Sequence, residues 1–359
     1  MRSVLFDIPL RGSVELGPLG SVPIFGFGLV LLVWLLLGLG WGWIQYRRSQ
    51  RGEFDSSTLV VWVIIAGVIV WAPSKESLPI YGFGTMLFLA YVAASSLGSL
   101  RLKQRGIPGE YAWDAAIWIF VTGLIGGRLF YVVQYHKKMF ANVNSLTEWV
   151  LKVVNLPDGG LVFYGGVLMA PVFFWLFCRK KGLHALPMAD LLIPMVFVGM
   201  LFGRIGCLMH GCCYGDYCEL PWAITFPPES APYSEQVVRG FLPDDRSALR
   251  SLPLHPTQIY DAVSSLAIAC VTWAFHAYRR RDGEVVAMAA ILYSINRFTI
   301  ELLRWDESGK FGTRFTISQW VSFGLLAAGV GFLVYLKSQP AQRLPLVCDE
   351  PTSVQPVAV

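Results

Sequence analysis

Charged residues are scarce in this sequence. They make up 15% of its 359 residues, whereas soluble domains contain about 25%. The net charge is only +5, so the chain lacks the basic face that a nucleic-acid-binding module needs. The first 20 residues contain no continuous apolar core, and we expect no cleavable signal peptide. These absences exclude a soluble protein and argue against nucleic acid as a partner.

Long apolar stretches take the place of the missing charges. Hydrophobic residues account for 55% of the chain and the mean hydropathy is +0.53. A transmembrane helix needs about 20 mostly apolar residues. Nine stretches qualify: 23–44, 56–73, 78–99, 111–133, 161–178, 187–206, 257–278, 284–304 and 315–336. The sequence therefore predicts an all-α polytopic membrane protein with about nine transmembrane helices.

Basic residues concentrate in alternate connections between these spans. They lie at 47–51, 101–105, 179–181 and 279–281, and at Lys337. Connections rich in Lys and Arg stay in the cytoplasm, so we predict an outer N-terminus and a cytoplasmic C-terminus. Residues 207–256 then form a small outward-facing head, and the Pro-rich tail 339–359 is predicted to be disordered. Four aromatic residues are expected to form the core of the head: Trp222, Phe226, Tyr233 and Phe241.

Four arginines interrupt the apolar spans: Arg128, Arg204, Arg297 and Arg304. A charge at the centre of a bilayer costs at least about 2.5–3.5 kcal/mol. Each of them alone is consistent with a side chain that reaches for the interface. All four lie toward the same predicted leaflet, however, and the guanidinium fork suits phosphate oxygens. Together they indicate an anionic partner within the membrane, namely a phospholipid headgroup.

The eighth span carries the most regular polar pattern. Tyr293, Arg297 and Glu301 recur every four residues and share one helix face, and Arg304 follows one turn later. One interpretation is an ion pair that only holds helices together. The other is a polar stripe that faces a cavity, in which Glu301 orients Arg297 and Tyr293 donates a hydrogen bond to a bound oxygen.

Two further spans begin with candidate site residues. The fifth opens with Tyr164, Gly165 and Gly166. Glycines there allow either a ligand or another helix to approach the backbone. The seventh span opens with His255, Gln258 and Tyr260. His255 alone is typical of helix capping, but beside the other two it is a candidate site residue.

Four cysteines and His210 lie within 12 residues: Cys207, Cys212, Cys213 and Cys218. Zinc is one interpretation, although adjacent cysteines do not easily bind one tetrahedral metal. Because the predicted loop faces outward, one or two disulfides are favoured. We therefore expect no metal and no other cofactor.

Taken in order, these elements resemble the prolipoprotein diacylglyceryl transferase family over residues 78–336. The matching strings are Ile80-Tyr81-Gly82, Gly126-Gly-Arg128-Leu-Phe-Tyr131, Gly159-Gly160 through Gly165-Gly166, Asp190 with Pro194, Gly203-Arg204-Ile-Gly206 with Gly211 and Gly215, Pro221-Trp-Ala-Ile-Thr-Phe-Pro227, His255-Pro-Thr-Gln-Ile-Tyr260 and Tyr293-x3-Arg297-x3-Glu301-x2-Arg304. The resemblance implies a seven-helix core over 77–338. Residues 1–76 are then an N-terminal extension with two further helices.

The resemblance also implies an activity and its partners. The diacylglyceryl group of phosphatidylglycerol is transferred to the lipobox cysteine thiol of a secreted prolipoprotein, and glycerol phosphate leaves. We accordingly expect a monomeric enzyme of the bacterial cytoplasmic (inner) membrane. Arg204 and Arg297 would hold the headgroup phosphate. The wall of the pocket would be shaped by Tyr81, Tyr293 and Glu301. Its entrance would be supported by Gln258 and Tyr260.

The sequence departs from the family in the half of the site that activates the acceptor thiol. Tyr164 stands where the family has His, and Asp261 replaces a usual Glu. Cys207, His210 and Cys212 replace Asn, Asn and Glu. His210 or His255 is then a candidate base. Two alternatives remain open: a phospholipid-binding relative without this catalysis, and an outward-facing thiol or metal protein.

Overall fold

The computed structural model describes residues 4–9, 13–15, 21–23, 29–48, 66, 77–140, 145–154, 160, 162–228, 230–243, 248–304 and 312–348. These residues fall into two compact units, Arg2–Thr85 and Met86–Val359. The predicted span 56–73 lies outside the described residues except for Ala66.

The N-terminal unit contains short strands that the all-α prediction missed. Strand β1 (Val4–Pro9) pairs with β4 (Ser77–Tyr81), and β2 (Ser13–Glu15) pairs with β3 (Ser21–Pro23), both antiparallel. Helix α1 (Leu29–Arg48) lies between β3 and β4 in the chain. Its apolar stretch matches the first predicted span.

The remaining elements of regular secondary structure in the described chain are helices. They are α2 (Gly82–Lys103), α3 (Glu110–Met139), α4 (Leu146–Val154), α5 (Phe163–Lys180), α6 (Ala185–His210), α7 (Ala231–Val238), α8 (Thr257–Tyr278), α9 (Glu284–Glu301) and α10 (Ile317–Ser338). Apart from 56–73, each predicted span coincides with a helix. Among the described residues, five are long and apolar enough to cross a membrane: α2, the 110–137 part of α3, α6, α8 and α10. The chain is thus a polytopic helical membrane protein.

The helix bundle has two distinct ends. Helix α6 packs against α8 and α9, and α9 packs against α10. At one end Asp190 of α6 accepts hydrogen bonds from the backbone N–H groups of Gly283, Val285 and Val286, at 2.7, 3.1 and 3.0 Å. A carboxylate there satisfies the unpaired donors of the first turn of α9. The other end contains Arg204 and is called the Arg204 end below.

The segment 211–256 has its own buried residues. Phe226 and Tyr233 are fully buried, and the Tyr233 hydroxyl donates to the Ala248 carbonyl at 3.0 Å. Trp222 and Phe241 are 57% and 50% exposed, so the prediction that they belong to this core was wrong. Both lie at the surface of the segment, where Trp222 donates to the Tyr260 hydroxyl at 2.7 Å.

The first part of the C-terminal tail is ordered, contrary to the prediction. Val347 forms a β-bridge with Leu183, and the Cys348 N–H donates to the Gly182 carbonyl at 2.8 Å. Leu346 and Val347 pack on the buried cluster around Phe177. Two apolar side chains suffice to hold this proline-rich segment on the turn between α5 and α6.

Glycines set the contact between α3 and α5. A Cβ atom on Gly165 would lie 2.2 Å from the Gly126 carbonyl oxygen, and one on Gly166 would lie 3.0 Å from that of Gly123. The two backbones therefore touch, as in other small-residue helix pairs in membranes. The assignment of Gly165 and Gly166 to substrate binding is corrected: another helix occupies the space beside them.

This contact makes a testable prediction. Gly165→Ala forces α3 and α5 apart and should lower the free energy of unfolding by about 1–3 kcal/mol, as overpacking does. Gly199→Ala is the matched control, because a Cβ there meets nothing within 4 Å. Thermal unfolding of both variants in detergent measures the difference. Equal melting temperatures would contradict the helix contact.

Candidate functional site

Arg204 forms a buried ion pair at its end of the bundle. Its Nε lies 2.8 Å from Asp261 Oδ2, in the first turns of α8. The other carboxylate oxygen of Asp261 accepts a hydrogen bond from Asn296 Nδ2 of α9, at 2.7 Å. Asp261 is 1% exposed. One carboxylate thus joins α6, α8 and α9 and holds the guanidinium in place.

A second ion pair lies next to the first along α9. Arg297 Nη2 is 2.9 Å from Glu301 Oε2 and donates to Ser318 Oγ of α10 at 2.8 Å. Glu301 Oε1 accepts from the Thr316 hydroxyl at 3.0 Å, and Thr316 also caps α10. Asn296, which bonds to Asp261, and Arg297 are consecutive residues, so both ion pairs are linked to the same turn of α9. Arg297 and Glu301 do pair, as one sequence interpretation proposed.

The pairs leave hydrogen-bonding capacity unused. Arg297 Nη1 is buried and has no hydrogen-bond partner among the described residues, and the same holds for Gln258 Oε1. A buried unsatisfied donor costs about 1–3 kcal/mol, and more when it is charged. An anionic oxygen from a ligand would satisfy Arg297 Nη1.

Tyr293 lies one turn before Arg297, on the same helix face. Its ring packs 6.3 Å from that of Phe197 of α6, and it interacts electrostatically with Arg204. The stripe Tyr293, Arg297 and Glu301 therefore faces α6 and α10, inside the bundle. The sequence predicted this stripe correctly, because residues four apart share a helix face.

The turn after α6 is held against α8. Gln258 Nε2 donates to the Cys212 carbonyl and Thr257 Oγ1 to the Cys213 carbonyl, both at 2.7 Å. Cys213 has a φ of 59°, a left-handed conformation that costs a residue other than glycine of order 1–3 kcal/mol. The two buried side chains of α8 hold the turn in this conformation.

Three cysteine sulfurs meet at this turn. The Sγ atoms of Cys207, Cys212 and Cys213 all lie within 4.8 Å of one another. These residues and Cys218 are free thiols, in contrast to the predicted disulfides. Hydrogen bonds with the Cys207 and Cys212 thiols, together with Arg304 and Arg204, lower the pKa of Cys213. Hydrogen bonds with Cys207 and Cys213 raise the pKa of Cys212.

His255, Tyr260 and Trp222 form a polar group beside the turn. His255 Nδ1 lies 3.4 Å from the Tyr260 hydroxyl, which accepts from Trp222 at 2.7 Å. The backbone of His255 bonds to Gly215 and Asp216 in the segment that follows the cysteines. A Cβ on Gly215 would lie 2.7 Å from His255 Cβ and from the Leu303 carbonyl oxygen. This glycine therefore permits the close approach of the segment to α8 and α9.

Arg128 lies away from these residues and has a structural role. Its guanidinium donates to the backbone carbonyls of Lys152, Val153 and Gly160, at 2.5, 2.8 and 3.0 Å. Lys152 and Val153 lie in the last turn of α4, where backbone carbonyls have no partner within the helix and need other donors. The prediction that Arg128 binds substrate is corrected, because backbone oxygens take up its guanidinium.

Three other predicted site residues lie on separate elements. Tyr81 ends β4 in the N-terminal unit and is 55% exposed. His210 is the exposed last residue of α6. Tyr164 lies in the first turn of α5, and its side chain is outside the described structure.

The sequence does not reveal the partners that hold the arginines. Single small polar residues are common in and beside helices, so Asn296, Thr316 and Ser318 do not stand out. Asp261 offered the best available signal. It lies one turn after Gln258 in an otherwise apolar helix, and its carboxylate needs a partner there.

The fold and site define a membrane-embedded protein with arginines poised at the end of an apolar bundle, as expected of an enzyme that acts on an anionic lipid. The model of the prolipoprotein diacylglyceryl transferase family matches residues 70–335. The chain belongs to this family and is a transferase.

Curated relatives agree with this assignment. A phosphatidylglycerol–prolipoprotein diacylglyceryl transferase of Rhodopirellula baltica is 28% identical, over 92% of this chain and 88% of that protein. A protein of the same name from Clostridium tetani is 30% identical, over 70% of this chain and 92% of that protein. A Clostridium perfringens transferase of this name, numbered 2, is 29% identical over 70% and 90%.

The Arg204–Asp261 pair makes a testable prediction. Asp261→Ala leaves a buried guanidinium unpaired, which should cost about 3 kcal/mol of the free energy of unfolding. Asp114→Ala is the control, because Asp114 and Lys181 form a more exposed pair at 3.4 Å, which contributes about 0–1 kcal/mol. Chemical unfolding in detergent compares them. Equal losses of stability in the two variants would contradict a stabilising role of the Arg204–Asp261 pair.

Proposed function

We propose that this chain transfers the diacylglyceryl group of phosphatidylglycerol to the cysteine thiol of bacterial prolipoproteins. Family membership and the names of the curated relatives support this activity. The structural observation that carries it is a pair of half-buried arginines, each bound to a buried carboxylate, with Arg297 Nη1 lacking a hydrogen-bond partner among the described residues. An anionic lipid phosphate supplies the oxygen that this nitrogen lacks.

The arginines act on the leaving group in this proposal. The headgroup phosphate carries one negative charge as a diester and gains a second as glycerol phosphate departs. Fixed donors aimed at developing charge stabilise the transition state more than the ground state. Arg204 and Arg297 hold the phosphate, while Asp261 and Glu301 fix the orientation of the two guanidinium groups. Tyr293, between them, donates to a phosphate or ester oxygen.

The entrance of the site combines the remaining polar groups. Gln258 and Tyr260 lie in the first turn of α8 and His255 lies just before it, and Gln258 Oε1 has no hydrogen-bond partner among the described residues. We assign these residues to the passage through which lipid and acceptor arrive. Arg304 and His210 flank the cysteine turn, and Tyr164, which stands where the family has His, belongs to the acceptor side.

We further propose the placement of the chain in the membrane. The basic connections 101–105, 179–181 and 279–281 belong to the Asp190 end, where Arg279 Nε lies 3.4 Å from Asp190. The positive-inside rule assigns that end to the cytoplasm, which directs the Arg204 end outward. Nine spans, an N-terminal extension at 1–76, a core at 77–338 and a monomeric state complete the proposal. The described part of residues 207–256 then forms the outward head.

A lipobox peptide provides the test. Arg204→Ala and Arg297→Ala should each lower the initial rate of lipidation about 10²–10³-fold, the usual cost of one charge-stabilising donor. Arg297→Lys keeps the charge but loses the fork, and should remain strongly impaired. The product is quantified by mass spectrometry.

A control arginine separates this effect from general damage. Arg250 is exposed and, among the described residues, donates hydrogen bonds to the hydroxyl and carbonyl oxygens of Thr225, at 2.7 and 2.9 Å. Arg250→Ala should retain activity. An unmutated protein that binds phosphatidylglycerol without turning it over would identify a phospholipid-binding relative and refute the transferase.

A further inference from the structure

The three cysteines at the Arg204 end form a set of potential metal ligands. Cys207, Cys212 and Cys213 place their sulfurs within 4.8 Å of one another. Zinc–sulfur bonds of about 2.3 Å put thiolates roughly 3.8 Å apart in a tetrahedral site. The sequence argument against zinc was that adjacent cysteines rarely share one ion. The left-handed backbone at Cys213 removes this objection, because the sulfurs of Cys212 and Cys213 can then both lie close to that of Cys207.

Two arginines lie beside the cluster. Arg204 and Arg304 interact electrostatically with Cys213, and Arg204 also interacts with Cys207. Three thiolates and one divalent cation carry a net charge of −1, which nearby guanidinium groups compensate. Thr257 and Gln258 hold the carbonyls of Cys213 and Cys212. Such fixed outer contacts orient metal ligands.

We infer that Cys207, Cys212 and Cys213 bind a thiophilic divalent metal ion, zinc by preference, whose open fourth position takes the acceptor thiol. Three protein ligands and one exchangeable position are typical of catalytic rather than structural zinc. The inference rests on the transferase function proposed above. It assigns the activation of the acceptor thiol to the metal ion, a step that the arginines do not explain.

Metal coordination solves a chemical problem of the reaction. A free thiol has a pKa of about 8.5 and is mostly protonated at neutral pH. The carboxylates of Asp261 and Glu301 are each paired with an arginine. A thiol that coordinates a metal ion loses its proton outright, so no side chain has to remove it.

The atoms balance as follows. The acceptor thiol displaces water from the metal and releases its proton to solvent. The thiolate sulfur then forms a bond to the diacylglyceryl carbon that carries the phosphate ester. The carbon–oxygen bond breaks, and its electron pair leaves with glycerol phosphate, which Arg204 and Arg297 receive. The resulting thioether is a weaker ligand, and water replaces it.

Cobalt binding tests the site without relying on activity. The full chain, purified in detergent under reducing, metal-free conditions, is titrated with Co²⁺. We expect one ion per chain with a thiolate-to-cobalt absorption band. The band should disappear in Cys207→Ser, Cys212→Ser and Cys213→Ser. It should persist in Cys218→Ser and Cys270→Ser, whose sulfurs lie outside the cluster.

A peptide distinguishes the acceptor role. A lipobox peptide should change the cobalt spectrum, and the same peptide with Ser for Cys should not. Chelation should abolish lipidation, and Zn²⁺ should restore it.

Several outcomes would overturn the inference. They are no saturable binding, binding that survives in all three cysteine variants, a spectrum insensitive to the Cys peptide, or a mass 2 Da lower that reveals a disulfide in the reduced preparation. A peptide-sensitive cobalt site in a protein without transfer activity would support the metal site and overturn the proposed function instead.

Discussion

Two neighbouring ion pairs, Arg204–Asp261 and Arg297–Glu301, are the interaction on which the rest of this structure depends. A guanidinium surrounded by apolar side chains is tolerated only when its charge is compensated. Asp261 and Glu301 provide that compensation while also bonding to Asn296 and Thr316. Four helices, α6, α8, α9 and α10, are thereby joined at one end of the bundle. The same contacts that stabilise the arginines also aim them.

The opposite end of the bundle is closed by backbone capping. Asp190 is fully buried and accepts hydrogen bonds from backbone N–H groups at the start of α9. Arg279 lies beside it. Burial lowers the pKa of Arg279, an effect that Asp190 opposes. The Asp190 end therefore uses its charges within the protein. At the Arg204 end, Arg297 Nη1 has no hydrogen-bond partner among the described residues, and in the proposed function it binds the lipid phosphate.

Local patterns in the sequence predicted much of this arrangement. Apolar length revealed the spans, and the four-residue spacing of Tyr293, Arg297 and Glu301 revealed one polar face. Roles that depend on a partner distant in sequence were not predictable. In the sequence Arg128 looks like the other arginines, and only the fold shows that carbonyls of α4 bind it. Gly165 likewise looks like part of a ligand site, and only the fold shows that α3 fills the space beside it. The cysteine cluster depends on one left-handed residue, Cys213, which no sequence pattern reveals.

In the proposed mechanism Arg204 and Arg297 bind the phosphate whose departure they assist. The most direct test reconstitutes the purified protein in vesicles of phosphatidylglycerol, or of a zwitterionic phospholipid with the same acyl chains, and adds a lipobox peptide. The peptide should gain the mass of one diacylglyceryl group only in phosphatidylglycerol vesicles, with an equal amount of glycerol phosphate released. Equal modification in both lipids, or no modification in either, would contradict this role.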